Sequence, residues 1–366
     1  MSKMFLGDVC LPESSNIAQK DLTDKGGQYP IYGASGLISH VNFYRQECEY
    51  IAVVKDGAGI GRVFLLPPYS SVIGTMQYIL PKPNIDVHYL YFAMQFMNLA
   101  KYYSGSTIPH IYFKNYKHEP IKLPSLEKQR EIADTLETIK QTEDNLNEQI
   151  THLDELVKSQ FVALFGDPVT NPMGWEIAPL SDMGDCKNGM NFHKGESGVE
   201  LHCLGVGDFQ NLSIIDDTST LPIVSLNDKP SKEYLLQNED IVFVRSNGNK
   251  NLVGRCLAVY PNEIPTVFSS FCIRFRLAAK ERLTIGYLLQ VLKHESMRQR
   301  MTGRGANIQN LNQQILSRLD IPLPPLTLQN KFADFAQQVD KSKLVLRQLL
   351  EKQCTLKAAL MQEYFS

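Results

Sequence analysis

Gly57, Gly59 and Gly61 alternate in the run Lys55-Asp56-Gly57-Ala58-Gly59-Ile60-Gly61-Arg62, a glycine spacing that invites comparison with phosphate-cradling loops. The run lacks the third spacing and the Lys-Ser/Thr pair of such a loop, and no glycine-rich dinucleotide turn feeds a helix. A tight β-turn accounts for it. Asn171-Pro172 is followed by Met173-Gly174, not by the Pro-aromatic pair of an amino-methyltransferase. His88, His110, His118, His152, His193, His202 and His294 show no metal-ligand spacing with one another or with a cysteine. Glu127, Glu131 and Asp134 fall at the start of a predicted helix, where carboxylates suit the helix dipole without any catalytic role. These residue types describe a chain with no active site of its own.

What remains is two polar, small-residue loops in each of two globular segments. In the second segment they carry Arg245, Ser246, Asn247, Asn249, Lys250 and Arg255, then Arg304, Asn307 and Gln309. Arg, Asn and Gln can make paired hydrogen bonds to base edges, while Lys, Ser and glycine-turn N–H groups suit phosphates. The corresponding candidates in the first segment are Lys55, Gly57 and Arg62, with Ser104, Ser106, Thr107, His110 and Lys114. Solvated loops are the commonest surface feature, so residue types alone leave ordinary loops and nucleic-acid reading as equal alternatives. A net charge of −2 argues against a protein that simply coats nucleic acid. Residues 1–120 hold ten basic and nine acidic groups, and residues 175–320 hold sixteen of each. The acidic excess lies in the first long helix, and basic groups must be concentrated locally to hold a polyanion.

The elements that would position these loops recur. In the first segment Tyr50–Val54 reads as a strand, Lys55–Gly59 as a turn, and Arg62–Leu66 as the return. Val72–Leu80 reads as a further strand, and Val87–Tyr102 as a helix with Leu90, Met94, Met97 and Leu99 inward. The second segment repeats the order. Asp240–Arg245 is the strand, Ser246–Asn251 the turn and Gly254–Val259 the return; Ser269–Leu277 is the third strand, Ile285–Arg300 the helix and Thr302–Asn310 the loop.

The repeat is clearest from Gly105 to Phe165 and from Gly305 to Phe365, which align at an offset of 200 residues without a gap. Leu123-Pro124 meets Leu323-Pro324, Gln129 meets Gln329 and Phe165 meets Phe365. Apolar residues spaced alternately by four and three, from Ile132 and Leu136 to Val157 and Leu164, predict a heptad seam broken at Glu143 and Gln160. Ser125 is a candidate N-cap, and Gly166-Asp167-Pro168 is a stop. The second copy keeps the register but is interrupted at Lys343, Gln353 and Lys357, which makes a less regular helix the expectation. Residues 121–167 carry ten acidic against five basic groups, and residues 321–366 four against six. An acidic and a mildly basic helix are complementary partners, which favours mutual packing over docking on separate domains. The N-terminus has no secretory h-region, no run is long enough to span a membrane, and the seven scattered cysteines suit a reducing cytoplasm.

Gln28-Tyr29-Pro30-Ile31-Tyr32-Gly33-Ala34-Ser35-Gly36, Ile121-Lys122-Leu123-Pro124-Ser125-Leu126-Glu127-Lys128-Gln129-Arg130-Glu131-Ile132, and the hairpins Asp240–Arg255 and Lys55–Arg62 complete the pattern. With the duplicated segments and helices, it resembles the specificity subunits of type I restriction–modification enzymes over essentially the whole chain. The resemblance implies an α+β fold: two related mixed α/β target recognition domains, joined by two long helices in an antiparallel coiled coil with pseudo-two-fold internal symmetry. The expected domains are 1–120, 121–167 (first helix), 168–320 and 321–366 (second helix). It further implies a non-catalytic cytoplasmic subunit that holds no cofactor itself. Its partners would be double-stranded DNA, two modification subunits that use S-adenosylmethionine to methylate adenine N6, and ATP- and Mg-dependent restriction subunits. A system whose methylating and cutting activities are fused in one partner, and a coiled-coil scaffold that binds proteins only, stand as alternatives.

Overall fold

The computed structural model describes residues 4–22, 26–105, 109–193, 195–209, 213–302 and 310–366. It divides into two compact units, Met1–Gln149 with Leu346–Ser366, and Ile150–Val345. Each long helix thus contributes to both.

In the first unit the run Tyr50–Val54 is buried on both faces. It lies inside a four-stranded antiparallel sheet ordered Cys10–Ser14, Met76–Pro81, Tyr50–Val54, Val63–Leu66. Ile51 and Val53 share a core with Tyr89, Leu90 and Phe92 of the helix Val87–Phe96. On the other face Tyr50, Ala52 and Val54 pack with Val72 of a second sheet, ordered Gly36–Val41, Tyr29–Gly33, Ser71–Val72. The expected strand Val72–Leu80 is therefore two strands in different sheets. The chain turns between them, where Met76 N–H donates to Ile73 O at 2.9 Å. The expected helix Val87–Tyr102 ends at Phe96, because Asn98 adopts a left-handed φ of 48° and a short 3-10 turn, Leu99–Tyr102, follows.

The second unit has a five-stranded sheet ordered Gly184–Asn188, Cys272–Leu277, Asp240–Val244, Cys256–Val259, Ile214–Ile215. It also has a three-stranded sheet, Ile223–Leu226, Val199–Leu204, Thr266–Phe268, and a two-stranded antiparallel ribbon, Glu176–Pro179 with Asp320–Leu323. The central strand is again buried on both faces. Asp240 is fully buried and starts that strand, and Arg276 grips its carboxylate through two 2.7 Å hydrogen bonds. Three expected boundaries move. The third strand begins at Cys272 and not Ser269, since Ser269–Cys272 closes a turn (Cys272 N–H to Ser269 O, 2.8 Å). The return strand starts at Cys256, after Gly254 at φ 77°. The helix expected over Ile285–Arg300 is two helices, Ile285–Lys293 and Glu295–Thr302, broken at His294, whose ψ of 139° is not helical.

The long helices run Leu126–Phe165 and Leu326–Phe365, 40 residues each. Ser125 Oγ accepts from Lys128 N–H at 3.3 Å, the expected cap, and Gly166 closes the first helix at φ 74°. In the first unit Ile132, Ala133 and Leu136 share a core with Leu360, Met361 and Tyr364. In the second, Val157 and Phe161 share one with Phe332, Ala336 and Val339. In both, the late part of one helix meets the early part of the other, so the pairing is antiparallel. The charges that interrupt the seam are paired there: Lys357 Nζ lies 2.6 Å from Glu143, and Lys343 Nζ 2.8 Å from Asp154. The second helix is consequently as long as the first. Near the end of the first helix, Phe161 and Phe165 take the most buried positions in place of Gln160 and Leu164, since their rings pack on Tyr287 and Phe332.

Each unit fastens its helix to its domain in the same way. Gln129 Oε1 accepts from Asp86 N–H (2.8 Å) while its Nε2 donates to Asn84 O and Pro124 O. Gln329 Oε1 accepts from Thr284 N–H (2.9 Å) while its Nε2 donates to Arg282 O and Pro324 O. Both glutamines are fully buried. Tyr89 O–H donates to Lys122 O, and Tyr287 O–H to Pro322 O.

Candidate nucleic-acid interface

Lys55 follows the central strand of the first domain and opens the glycine turn. Its carbonyl accepts from Ile111 N–H at 2.9 Å, and Gly57 N–H donates to Pro109 O at 3.0 Å, which joins the turn to the loop that follows Ser104. His110 lies against Asp56, with Nδ1 2.6 Å from Oδ1, and exchanges two backbone hydrogen bonds of 2.8 Å with Ser104. Gly57, Gly59 and Gly61 all adopt left-handed φ values of 80–87°. A Cβ on Gly61 would sit 2.4 Å from the Ala100 nitrogen, so close approach of backbone fixes that glycine; around Gly57 the space is open. Arg62 folds back over the turn, donating to Gly59 O and Ala58 O. Lys114 Nζ lies 5.3 Å over the ring of Tyr112, which stacks on His110. Lys55, Gly57, Arg62, Ser104, His110 and Lys114 thus lie in or beside one joined pair of loops.

The second domain is assembled the same way with other side chains. Arg245 follows the central strand, its carbonyl accepts from Leu311 N–H at 2.8 Å, and Ser246 bridges Asn310. Lys55 and Arg245 are therefore structural counterparts. Asn247 Oδ1 accepts from Asn249 N–H, and Asn249 Oδ1 from Asn251 N–H, so both asparagines shape the turn with one oxygen and keep an amide group for other contacts. Arg298 holds this turn from below by donating to Asn251 O and Val253 O. Lys250 opens a short 3-10 turn, and Arg255 donates its N–H to Leu252 O ahead of the return strand. Ser106, Thr107, Arg304, Asn307 and Gln309 lie outside the described residues.

A cleft of about 440 Å³ opens beside Arg245 and Ser246, lined also by Asn188, Gly189, Asn191, Ser270, Phe271 and Asn310. Of these, only Arg245 and Ser246 stood out by residue type. Asn188-Gly189 is a turn dipeptide that could have drawn notice. Phe271 was hidden inside the expected strand. Among the described residues no group of three or more His, Cys, Asp or Glu side chains could hold a metal ion, and no helix is long and apolar enough to cross a membrane.

Comparison with known proteins gives a consistent picture. A family profile described as the type I restriction modification DNA specificity domain matches residues 1–153 and 172–353. The type I restriction enzyme StySPI specificity subunit of Salmonella potsdam is 23% identical over 271 residues, covering 70% of this chain and 58% of that protein. The chain thus spans little more than half the length of that relative. The MjaVIII specificity subunit of Methanocaldococcus jannaschii is 25% identical over 315 residues, 79% of this chain and 72% of its own. The crystal structure of a type-I restriction-modification system S subunit from M. genitalium shares the fold, with a TM-score of 0.65 at 16% identity, covering 100% of this chain and 96% of that one.

Proposed function

From the premise that this chain belongs to the type I restriction–modification DNA specificity family, we propose that it is the sequence-reading, non-catalytic subunit of such an enzyme. Each domain reads one half of a bipartite site in double-stranded DNA. The paired helices space the domains and dock two modification subunits, which use S-adenosylmethionine to methylate adenine N6. Restriction subunits supply the ATP- and Mg-dependent cleavage. One observation carries this reading: a turn locked onto a loop by the same backbone bonds, built once around Lys55 and Ile111 and again around Arg245 and Leu311, with different side chains in each. A fixed backbone with exchanged side chains suits two readers of different sequences.

Mapping modified adenines genome-wide with and without the gene is the test. Loss of one bipartite motif is expected; an unchanged map would refute the assignment. A second arm tests the helices as a spacer. Four residues inserted after Asn145 add about 6 Å and turn the far end by about 40°, leaving the seam nearly in phase. The mapped motif should keep both half-sites and widen its gap by about one or two base pairs, each worth about 3.4 Å and 35° of DNA. An unchanged gap would mean that the helix does not set the distance.

A further inference from the structure

Phe271 is 58% exposed, although the neighbouring Phe268 and Cys272 are fully buried. Its backbone is nonetheless fixed. Phe271 N–H donates to Ser269 Oγ at 3.3 Å, Phe271 O accepts from Arg245 N–H at 2.8 Å, and the adjacent Ser270 N–H donates to Met190 O at 2.7 Å. The turn that carries the exposed ring is thus fixed through its backbone. It stands at a cleft whose other side chains are polar, including the amides of Asn188, Asn191 and Asn310. The Arg245 guanidinium donates from one nitrogen to Ser270 O at 3.3 Å, and among the described residues its other N–H groups make no further hydrogen bond.

We propose that Phe271 is a specificity residue of the second domain, contacting the 5-methyl group of a thymine in the major groove while an amide of the same cleft takes the paired adenine. The inference rests on the reading of the chain as a DNA-recognition subunit. Its basis is chemical complementarity. An A·T pair presents in the major groove a methyl group on one base and a donor–acceptor pair on the other, which match an apolar ring and a carboxamide. A G·C pair has no methyl group there. Arg245 is then placed for a neighbouring guanine or phosphate. The first domain supports the assignment of a reading position. Thr75 O accepts from Lys55 N–H at 3.0 Å, as Phe271 O does from Arg245, so Thr75 is the counterpart of Phe271. The two domains thus hold this backbone position alike and place a methyl-bearing residue on it in one case and an aromatic ring in the other.

The test uses the full chain in complex with its modification subunits and duplexes carrying the methylated motif. Each thymine of both strands is replaced in turn by deoxyuridine, which removes only the methyl group. For the wild type, one replacement should weaken binding about fourfold, the size expected for one buried methyl-sized group. Phe271→Ala should weaken binding to the thymine duplex and abolish the difference between thymine and deoxyuridine at that position alone, the non-additivity that marks a direct contact. Unchanged fluorescence of Trp175 would establish that the variant is folded. A wild type indifferent to every replacement, a Phe271→Ala complex that keeps the full deoxyuridine effect, or a motif of G·C pairs only overturns the proposal. Failure of the recognition reading itself looks different: no duplex would be bound selectively, and no methylated motif would depend on the chain.

Discussion

Lys343 occupies a seam position of the second helix, and its side chain is only 9% exposed. Its Nζ lies 2.8 Å from Asp154 and 2.7 Å from Asp340, whose side chains keep 48% and 33% of their exposure. That asymmetry of burial dictates which partner matters. Replacing both aspartates by alanine strands a buried ammonium, a loss of about 3–5 kcal/mol. Lys343→Met keeps the apolar stem and leaves two carboxylates that water can reach, so it should cost less than about 1 kcal/mol. Urea unfolding followed by Trp175 fluorescence resolves the difference. Trp175 is the only tryptophan, belongs to the same unit, and donates its Nε1–H to Phe165 O at 3.2 Å. With a slope of about 3 kcal/mol per molar urea, the double aspartate variant should unfold about 1–1.7 M earlier, and Lys343→Met within about 0.3 M of wild type. Burial opposes the charge of Lys343, but the hydrogen bonds and charges of Asp154 and Asp340 outweigh it and raise its pKa above the usual 10.5. A raised lysine contributes its full stability below pH 10.5 and loses it as pH climbs through the folded-state value, so wild type should lose its margin over Lys343→Met only in that alkaline range. Equal losses in Lys343→Met and in the double aspartate variant would refute the reasoning, because the ion pair and not the stranded charge would then carry the energy.

Gln329→Leu should cost about 3 kcal/mol by the same Trp175 measurement, since it leaves Thr284 N–H, Arg282 O and Pro324 O without their buried partner. A loss below about 1 kcal/mol would mean that these groups find water. Gly57→Ala and Gly61→Ala both place a side chain at a left-handed φ, worth about 1–2 kcal/mol, but only the second also drives a Cβ to 2.4 Å from the Ala100 nitrogen. Calorimetry should therefore find Gly61→Ala the more damaging by at least about 2 kcal/mol, and the reverse order would show that the turn is not pressed against Ala100.

The long helices were legible because every signal there is local: a cap at Ser125, a glycine stop at Gly166 and a seam of period 3.5. The central strands Tyr50–Val54 and Asp240–Val244 were legible as unbroken apolar runs between turns. What escaped is what depends on distant partners. Glu143 and Lys357 look like faults in two separate seams until antiparallel packing brings them within 2.6 Å. Gln129 and Gln329 stand out as matching letters of a repeat, but their role needs carbonyls some 45 residues earlier in the chain. The cleft beside Arg245 draws Asn188 from one strand and Phe271 from the turn before its partner, a pairing with no local trace.

The two halves diverge in a pattern that physical chemistry makes intelligible. Positions whose side chains act as fasteners stay the same or nearly so: Gln129 and Gln329 are identical, and Ile111 and Leu311 are both buried aliphatics. Positions that the shared turn-and-loop framework holds through backbone bonds differ. Lys55 corresponds to Arg245, Asp56 to Ser246, Thr75 to Phe271 and His110 to Asn310, and in each pair the conserved bonds use N–H and C=O groups that these residues all possess. Exchanging such side chains leaves the hydrogen-bond framework of the turn and loop intact, so the cost to folding is small. A domain built this way can change what it contacts without being rebuilt. The Asp56–His110 pair and the Ser246–Asn310 pair make the point most directly, because one backbone bridge carries an acid and an imidazole in the first domain and a hydroxyl and an amide in the second.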